Sequence, residues 1–273
     1  MKSLKEYWNH SFQRPNMKPT YDNWLDKYSK EFNDEANMRI IDLGCGIGNN
    51  SLYLSERGFN PIACDISEEA LRKLKGSIPD CKTHCFDMSE GIPFDKGSID
   101  ILIADLSLHY FDEDTTNKII NNIHSALNTK GLLLCRLNST KEIVNKGEVQ
   151  QSQDKYLYKN EGINRRFFDQ SEIERFFSKD KWEYMYIEEY ELLRYQNKKV
   201  MWEIALKPVT SSNIIFTHRA IRPSVHEKHL AVELVQRTHP HRLTASRLAA
   251  DAALSRWDIV NMGTLDEMNQ EGE

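Results

Sequence analysis

Short apolar runs alternate with amphipathic stretches along most of the chain. The apolar runs predict buried strands at residues 38–43, 60–65, 82–86, 99–105 and 132–137. Between them, apolar positions recur at helical spacing and predict helices at 49–57, 68–76 and 115–127. We expect Gly131 to end the last of these helices. Alternation of this kind is typical of an α/β fold, with a mostly parallel sheet and helices on both of its faces.

Further elements flank this α/β core. Residues 4–32 predict an N-terminal helical region, and residues 182–192 and 199–206 predict two antiparallel strands that complete a seven-stranded sheet. We therefore expect a Rossmann-like fold with three parts. These parts are an N-terminal helical lid (1–35), a main domain (36–207) and an extension (208–273). Open sheets of this kind bind ligands beyond the carboxyl ends of their strands.

The extension differs from the rest of the chain in its basic residues. Up to Lys207 the chain contains 20 Lys and 9 Arg, whereas from Pro208 onward it contains 1 Lys and 6 Arg. Folding does not require such a switch, so we interpret the extension as a segment of separate origin. Its pattern predicts helices at about 225–237 and 244–260, in a segment that is helical or partly disordered.

Charge and composition indicate a cytoplasmic protein. The formal net charge of -5 argues against a broad basic surface, which makes a nucleic-acid partner unlikely on composition alone. There is no run of about eighteen apolar residues to predict a membrane span, and the first residues lack the apolar core of a secretory signal. The five cysteines are an odd number and lie mostly in apolar stretches, which indicates reduced thiols. The oligomeric state is left open.

A glycine-rich loop follows the first predicted strand. In the run Asp42-Leu43-Gly44-Cys45-Gly46-Ile47-Gly48, the glycines permit a tight turn and let the backbone approach a ligand. Dinucleotide-binding loops also join a strand to a helix, but this chain has Asn49 where their third glycine is expected. The Asp42 carboxylate would repel a pyrophosphate, whereas it suits the ammonium group of S-adenosylmethionine. These two features favour S-adenosylmethionine as the cofactor over NAD(P), and so argue against a dehydrogenase.

Three more carboxylates lie at the ends of the next strands. Asp65, which Ile66 follows, can accept hydrogen bonds from the two hydroxyls of a ribose. Asp87 can accept one from an adenine amino group, with Met88 packed on the purine. Asp105 ends the fourth strand, beside the expected reaction centre. A single terminal Asp is often only a cap or a turn residue, but this succession after a glycine loop predicts a cofactor site.

With these motifs, residues 38–137 resemble the class I S-adenosylmethionine-dependent methyltransferases, in particular the group that acts on small molecules. The glycine loop resembles the first motif of that family, Asp65 its acidic ribose ligand, and Ile92-Pro93-Phe94 the Leu-Pro-Phe that often follows the adenine-binding Asp. The stretch 166–173 is similar to an insert found in tellurite-resistance and thiopurine-type relatives. The resemblance implies the class I methyltransferase fold and S-adenosylmethionine as the cofactor. The extension resembles nothing that we recognise.

The residues after the fourth strand bear on the methyl acceptor. Segment 105–111 lacks the Asn-Pro-Pro-Tyr type of motif that holds a nucleobase amine in related enzymes. It resembles instead the Leu-His-aromatic segment of small-molecule enzymes, in which His109 would face the methyl group. His109 is therefore a candidate catalytic residue, as a general base or an orienting donor. The alternative is a histidine packed beneath the acceptor loop and bonded locally.

Further candidates surround the expected acceptor. Arginines near the carboxyl edge of the sheet and in the insert pair well with oxyanions. Aromatic residues of the N-terminal region are candidates because this segment often lies over the cofactor as a lid in such folds. For each of them, packing or anchoring is the alternative. The candidates are Arg136, as a second catalytic residue, and Arg165, Arg166, Trp8, Tyr21 and Tyr110, as substrate-binding residues.

The leading hypothesis is an enzyme that methylates a small molecule on oxygen, nitrogen, sulfur or a chalcogen oxyanion. An RNA or protein methyltransferase is one alternative, and it would need a basic acceptor face. A regulatory protein that binds the cofactor without turnover is another. Cys81 and Cys85 have a C-x₃-C spacing without a second pair of ligands, so we expect no metal.

Overall fold

The computed structural model describes residues 3–32, 38–145, 150–160, 162–194 and 197–209. These residues belong to the first of two units into which the chain divides, Met1–Asn213. The second unit, Ile214–Glu273, lies outside the described residues. The helices predicted at 225–237 and 244–260 therefore remain predictions, as does the separate character of the extension.

Ten strands are described, and seven of them build the main sheet. In chain order the strands are β1 (Ile40–Leu43), β2 (Ile62–Asp65), β3 (Lys82–Cys85), β4 (Ile99–Asp105), β5 (Leu127–Asn138), β6 (Gln150–Gln151), β7 (Leu157–Asn160), β8 (Ile163–Arg166), β9 (Trp182–Arg194) and β10 (Asn197–Pro208). The main sheet has the order β3-β2-β1-β4-β5-β10-β9. Its first five strands are parallel, and β10 is antiparallel to both of its neighbours. Strands β6, β7 and β8 form a small separate sheet.

Short helices connect the strands. They are α1 (Leu4–Ser11), α2 (Asn49–Ser55), α3 (Glu68–Ser77), α4 (Glu113–Ala126) and α5 (Gln170–Phe176), with 3₁₀ helices at Trp24–Tyr28 and Thr140–Asn145. Side-chain oxygens of Ser67, Asp112 and Asp169 accept a backbone N–H at the starts of α3, α4 and α5, which satisfies one of the free donors there. Within the described part of the chain, no helix is long and apolar enough to cross a membrane.

The side chains of the main sheet alternate between two apolar layers, because successive residues of a strand point to opposite faces. One layer packs against α4 and α5, and it includes Ile41, Leu43, Leu102, Leu133 and Cys135. The other packs against α2 and the 3₁₀ helix Trp24–Tyr28, and it includes Ile40, Ile101, Ile103, Leu132 and Leu134. Burial on both faces explains why these strands are read from the sequence as continuous apolar runs.

The predicted architecture is confirmed, since the mostly parallel seven-stranded sheet and its closing antiparallel pair are both present. Two local predictions are wrong. The N-terminal region is not helical throughout: Pro15 and Pro19 lie between α1 and the 3₁₀ helix, and proline lacks the N–H that a helix interior requires. Gly131 lies within β5 and does not end α4, because the chain already becomes extended at Leu127.

Candidate active site

A cavity lies at the carboxyl edge of the main sheet, with about 520 Å³ of empty space that includes its opening to solvent. Residues that directly follow β1, β2, β3 and β4 line it, and one face of α1 covers it. Parallel strands direct their carboxyl ends to one edge, so four separate loops converge on the same space. The sequence predicts this convergence, and most of the predicted cofactor residues of these loops are indeed brought together.

The glycine loop forms one wall of the cavity through Gly44 and Gly46. Gly44 has a φ of +71°, and a Cβ added there would lie only 2.3 Å from Cβ of Ser107. The Ser107 hydroxyl in turn donates to the Leu43 carbonyl at 2.7 Å, which holds the loops after β1 and β4 together. Gly48 has another function: it precedes α2 with a φ of +93°, and its missing Cβ leaves room for Leu74. The glycines therefore let Ser107 and Leu74 pack against the loop backbone, and approach of that backbone to a ligand stays a prediction.

Asp65 joins the glycine loop to the end of β2. Its Oδ2 accepts the N–H of Gly46 and its Oδ1 accepts the N–H of Ser67, both at 2.8 Å. Burial raises the pKa of this carboxyl, while the hydrogen bonds act in the opposite direction. Asp65 and its neighbour Ile66 both line the cavity, as predicted for ribose-binding residues. Binding of a ribose itself stays a prediction.

The loop after β3 supplies a polar and an apolar group to the cavity. Oδ1 of Asp87 accepts hydrogen bonds from the backbone N–H and the hydroxyl of Ser89, at 2.8 and 2.7 Å. This arrangement fixes the carboxylate at the rim. Met88, together with Phe86, lines the apolar part of the same wall. The pairing of a fixed acceptor with an apolar surface is what recognition of a purine requires.

Helix α1 covers the cavity with a single face. Leu4, Trp8 and Phe12 are spaced by four residues and all line it, and Phe12 is the residue that a Cβ on Gly46 would meet. Oδ1 of Asn9 accepts the Ser67 hydroxyl at 2.8 Å, which ties α1 to the start of α3. We predicted Trp8 but missed Leu4 and Phe12, although their spacing in the sequence was the available signal. None of the residues of α1 is fully buried.

Four predicted cofactor residues, Asp42, Cys45, Gly48 and Asp105, are not among the residues that line this cavity. Asp42 is buried and accepts the Ser51 hydroxyl at 2.7 Å. Burial, followed by the nearby charge of Asp105, raises the pKa of Asp42 to about 7. Both carboxylates project from the face of the sheet that the 3₁₀ helix covers. Direct contact of Asp42 with an ammonium group remains a prediction. Cys45 is likewise buried within the loop, where burial raises the pKa of its thiol well above the usual value.

Arg136 does not reach the cavity, contrary to the prediction of a catalytic role. Its side chain is 1% exposed, and Nε and Nη2 hold the carboxylate of Asp105 at 2.8 and 2.7 Å. Nη1 holds Asp22 at 2.8 Å, and the guanidinium carbon lies 4.5 Å from the ring centre of Trp24. Two aspartates therefore neutralise Arg136. It fastens the N-terminal segment to the sheet.

His109 is 1% exposed and is not among the lining residues of this cavity. Its carbonyl accepts the Arg166 N–H at 2.8 Å, and its ring lies 4.4 Å from that of Tyr110. This position agrees with the alternative of a histidine packed beneath the acceptor loop, and a role as general base remains a prediction. Tyr110 itself lines the cavity, with the Trp8 ring edge-on at 5.1 Å.

Two further acceptor candidates are fixed elsewhere. Arg166 is fully buried, and its guanidinium is held by Glu172 at 2.7 Å and by Asp154 at 2.6 Å. It anchors the insert and does not contact the cavity. Tyr21 donates its hydroxyl to Glu56 and does not line the cavity either. The sequence does not reveal the acidic partners that hold these two side chains away from the cavity.

Other lining residues were missed altogether. Leu106, Ser107 and Phe111 follow β4 and line the cavity beside Tyr110. Leu106 has a φ of +55°, which is unusual for a residue other than glycine and turns the chain sharply after the strand. Among the described residues, no group of three or more His, Cys, Asp or Glu side chains is arranged to hold a metal ion. Cys81 is buried, whereas Cys85 is exposed on the edge strand β3.

Comparison with known proteins gives consistent findings. Residues 40–131 match a family model described as a methyltransferase domain. Over 95 residues the chain is 29% identical to an uncharacterised methyltransferase of Synechocystis, and the aligned region covers 35% of this chain and 44% of that protein. Over 158 residues it is 26% identical to a tRNA N(3)-cytidine methyltransferase of Homo sapiens, and the aligned region covers 52% of this chain and 41% of that protein. The chain thus spans less than half the length of these two curated relatives.

The fold also has solved counterparts. The crystal structure of an S-adenosylmethionine-dependent methyltransferase from Methanosarcina mazei aligns with a TM-score of 0.57 and 18% identity, over 68% of this chain and 98% of that one. At this identity the likeness concerns the fold alone. A specific relationship to tellurite-resistance or thiopurine-type proteins, which we expected from residues 166–173, is not established by these comparisons.

Proposed function

We propose, on the premise that this chain belongs to the class I S-adenosylmethionine-dependent methyltransferases, that it transfers a methyl group from S-adenosylmethionine to a small-molecule acceptor. One observation carries the proposal. The glycine loop, the carboxylate of Asp65, the rim carboxylate of Asp87 and the apolar face of α1 enclose one cavity at the carboxyl edge of the sheet.

The lining of the cavity fits S-adenosylmethionine. Gly44 and Gly46 line the cavity without side chains of their own, so their backbone can face a bound molecule. The carboxylate of Asp65 already accepts two backbone N–H groups, and each of its oxygens can accept a further hydrogen bond from a ribose hydroxyl. Asp87 and Met88 suit an adenine amino group and a purine face. We assign these residues to the cofactor.

The part of the protein in methyl transfer is alignment and exclusion of water. When bound, S-adenosylmethionine supplies a methyl group on a sulfonium: the acceptor's lone pair takes the methyl carbon, sulfur keeps the electron pair of the broken bond, and a proton leaves the acceptor for water. Trp8, Phe12 and Phe111 line the cavity with apolar rings that exclude solvent from this space. Tyr110 and Ser107 complete the wall after β4, where an acceptor would be aligned.

A second candidate function is methylation of RNA. The observation in its favour is the 26% identity, over 158 residues, to a human tRNA N(3)-cytidine methyltransferase. Against it stand the net charge of -5 and the absence of the Asn-Pro-Pro-Tyr type of motif in residues 105–111. We therefore favour the small-molecule acceptor and treat tRNA as the competing substrate. For the domain boundaries we keep the proposal of a lid at 1–35 and a main domain at 36–207.

Calorimetric titration tests the proposal. We expect S-adenosylmethionine to bind the full-length protein with micromolar affinity, and NAD⁺ not to bind. Release of S-adenosylhomocysteine is then followed with a library of small molecules and, separately, with total tRNA. Turnover of a small molecule supports the proposal, whereas turnover of tRNA alone supports the second candidate. A folded protein that binds no S-adenosylmethionine would contradict both.

A further inference from the structure

A second, wider cleft adjoins the cofactor cavity. It has about 1080 Å³ of empty volume and lies between the start of α4 and the hairpin of β7 and β8. Leu4, Asp87, Tyr110 and Phe111 line both spaces, so these residues form the shared wall. The comparable cleft volume of about 500 Å³ lies within the range of about 300–1,000 Å³ that is usual for small-molecule pockets. The cleft thus borders the cofactor cavity along this wall.

Arg165 lies behind this shared wall. Its guanidinium carbon is 5.9 Å from the ring centre of Tyr110, and its neighbours Ile163 and Asn164 on β8 line the cleft. The buried Nε of Arg165 has no hydrogen-bond partner, and no acidic side chain among the described residues forms an ion pair with it. This contrasts with Arg166, whose guanidinium holds two carboxylates.

The other charges of the cleft are balanced or already bonded. Asp87, Asp112 and Asp114 contribute three carboxylates, against the ammonium groups of Lys118 and Lys159. Arg165 is not itself a lining residue of the cleft, but it lies beside Tyr110, and its charge brings the formal sum for these six residues to zero.

Most of these groups already have hydrogen-bond partners within the protein, and in this they differ from Arg165. Asp87 accepts two hydrogen bonds from Ser89, and Asp112 accepts the N–H of Thr115. Lys118 donates to the Ser89 carbonyl at 2.8 Å, and Asp114 is exposed to water on the first turn of α4. Within the described part of the chain, Arg165 is half-buried and its buried Nε has no hydrogen-bond partner. An unpaired buried guanidinium N–H costs free energy, and an oxyanion that accepts from it recovers that cost.

We propose that the second cleft binds the methyl acceptor and that the acceptor carries an oxyanion, a carboxylate or a phosphate, which pairs with Arg165. This inference rests on the proposed methyltransferase function and names the chemical class of its substrate. The oxyanion lies on the insert side of Tyr110, and the nucleophile of the same molecule passes the wall of Tyr110 and Phe111 to reach the methyl group. Arg165 acts as a substrate-binding residue that selects anionic over neutral or cationic acceptors.

A binding experiment tests the anion site without knowledge of the acceptor. The full-length protein is saturated with S-adenosylhomocysteine, and inorganic phosphate and benzoate are titrated as probes of the two oxyanion classes. We expect at least one of them to bind in the millimolar range. Binding should weaken at least tenfold in Arg165→Gln and recover in part in Arg165→Lys. Arg72→Gln, which removes an exposed arginine of α3 paired with Glu69, serves as the matched control and should bind as the wild type does.

Two results would overturn the inference and leave the proposed function intact. In the first, neither anion binds to wild-type protein that holds S-adenosylhomocysteine. In the second, the wild type and Arg165→Gln bind the anions equally well. Equal affinity of all variants for S-adenosylhomocysteine, with unchanged thermal unfolding, shows that the cofactor cavity and the fold are preserved. Loss of S-adenosylhomocysteine binding by the wild type itself would instead contradict the proposed function.

The acceptor library gives the second test. Compounds are grouped as anionic, neutral or cationic at pH 7, with total tRNA as a further group. We expect turnover among the anionic small molecules, with KM raised at least tenfold in Arg165→Gln and kcat changed little, because Arg165 binds the acceptor away from the reacting atoms. Turnover confined to neutral compounds, cationic amines or tRNA would overturn the inference.

Discussion

The guanidinium of Arg136 holds the carboxylate of Asp105 in two parallel hydrogen bonds, from Nε to Oδ1 at 2.8 Å and from Nη2 to Oδ2 at 2.7 Å. The two residues are register partners on the adjacent parallel strands β4 and β5. Both project from the sheet face that lies under the 3₁₀ helix Trp24–Tyr28. This pair, with Asp22, links the N-terminal segment to the end of the sheet where the cavity lies.

Removal of the cation from this pair should destabilise the protein. In Arg136→Gln, the Asp105 carboxylate loses the guanidinium charge and its two hydrogen bonds while 7% exposed, and we expect the free energy of unfolding to fall by about 3–5 kcal/mol. Urea unfolding at pH 7 measures this. The double variant Arg136→Met/Asp105→Asn also removes the carboxylate charge and should recover part of the loss. A single variant as stable as the wild type would show that the pair is not needed to hold the fold.

Asp42 should make stability depend on pH. Its folded-state pKa of about 7 lies above the ordinary value of 3.8, so the folded protein binds a proton more readily than the unfolded chain does. Stability is therefore highest below pH 4 as far as this group is concerned, and it falls as the pH rises toward 7. Asp42→Asn removes this dependence. Between pH 5 and pH 8, we expect the advantage of the variant over the wild type to grow by about 3 kcal/mol in urea unfolding.

A pH-independent difference between Asp42→Asn and the wild type would contradict this account of Asp42. Ser51→Ala is the companion variant, because it removes the hydroxyl that donates to the carboxylate. It should make the charged form of Asp42 still less favourable, and so shift the fall in stability to higher pH.

Gly44 and Gly58 allow conformational strain to be separated from a steric clash. Both have a positive φ, of +71° and +84°, but an added Cβ meets Ser107 at Gly44 and nothing within 4 Å at Gly58. Gly58→Ala should cost about 1–2 kcal/mol of stability from strain alone and leave cofactor affinity unchanged. Gly44→Ala should cost more and weaken S-adenosylmethionine binding at least tenfold. Equal affinities in calorimetric titration would contradict the role of Gly44 as a cavity wall.

Trp8→Ala tests the cover that α1 provides. Trp8 lines the cavity and contacts Tyr110 edge-on, but it is not fully buried. We expect about tenfold weaker binding of S-adenosylmethionine, with little change in the urea midpoint. His10→Ala, on the exposed side of the same helix, is the control and should bind normally. A large loss of stability in Trp8→Ala would assign Trp8 to the core instead.

Whether residues beyond 213 contribute to the cofactor site is tested by shortening the chain. A variant that ends at Asn213 keeps all the described residues that line the cavity. We expect it to bind S-adenosylmethionine with the affinity of the full-length protein. A markedly weaker affinity in calorimetric titration would show that residues beyond 213 contribute to the site.

The elements of the fold could be predicted well because their signals are local. Ile99–Asp105 was predicted with its observed bounds, since a run buried on both faces stands out from the polar residues around it. The prediction for Gly131 is wrong because glycine often follows the end of a helix, whereas here it permits close backbone approach within β5. An added Cβ would lie 3.0 Å from the Asn128 carbonyl oxygen. Local sequence does not distinguish these two uses of glycine.

The site was predicted less completely, because a side chain's partner depends on elements far away in the chain. The ends of β1 and β4 were identified, but alternation along the strands directs Asp42 and Asp105 toward the layer beneath the 3₁₀ helix. Only the strand order brings Arg136 beside Asp105. Arg165 and Arg166 are adjacent in sequence, yet Arg166 is fully buried between two acids. The sequence gives no local sign of this difference.

The cover formed by α1 has a consequence for the time course of the reaction. Its lining side chains Leu4 and Trp8, with Phe12 directly after the helix, cover the cavity, yet no residue of the helix is fully buried, and so α1 can lift while the sheet stays folded. Such openings would admit S-adenosylmethionine and release its product. We expect the association rate constant of S-adenosylmethionine to lie below the diffusion limit, and product release to wait for the same motion. The opening of one eight-residue helix would then set the interval between successive turnovers.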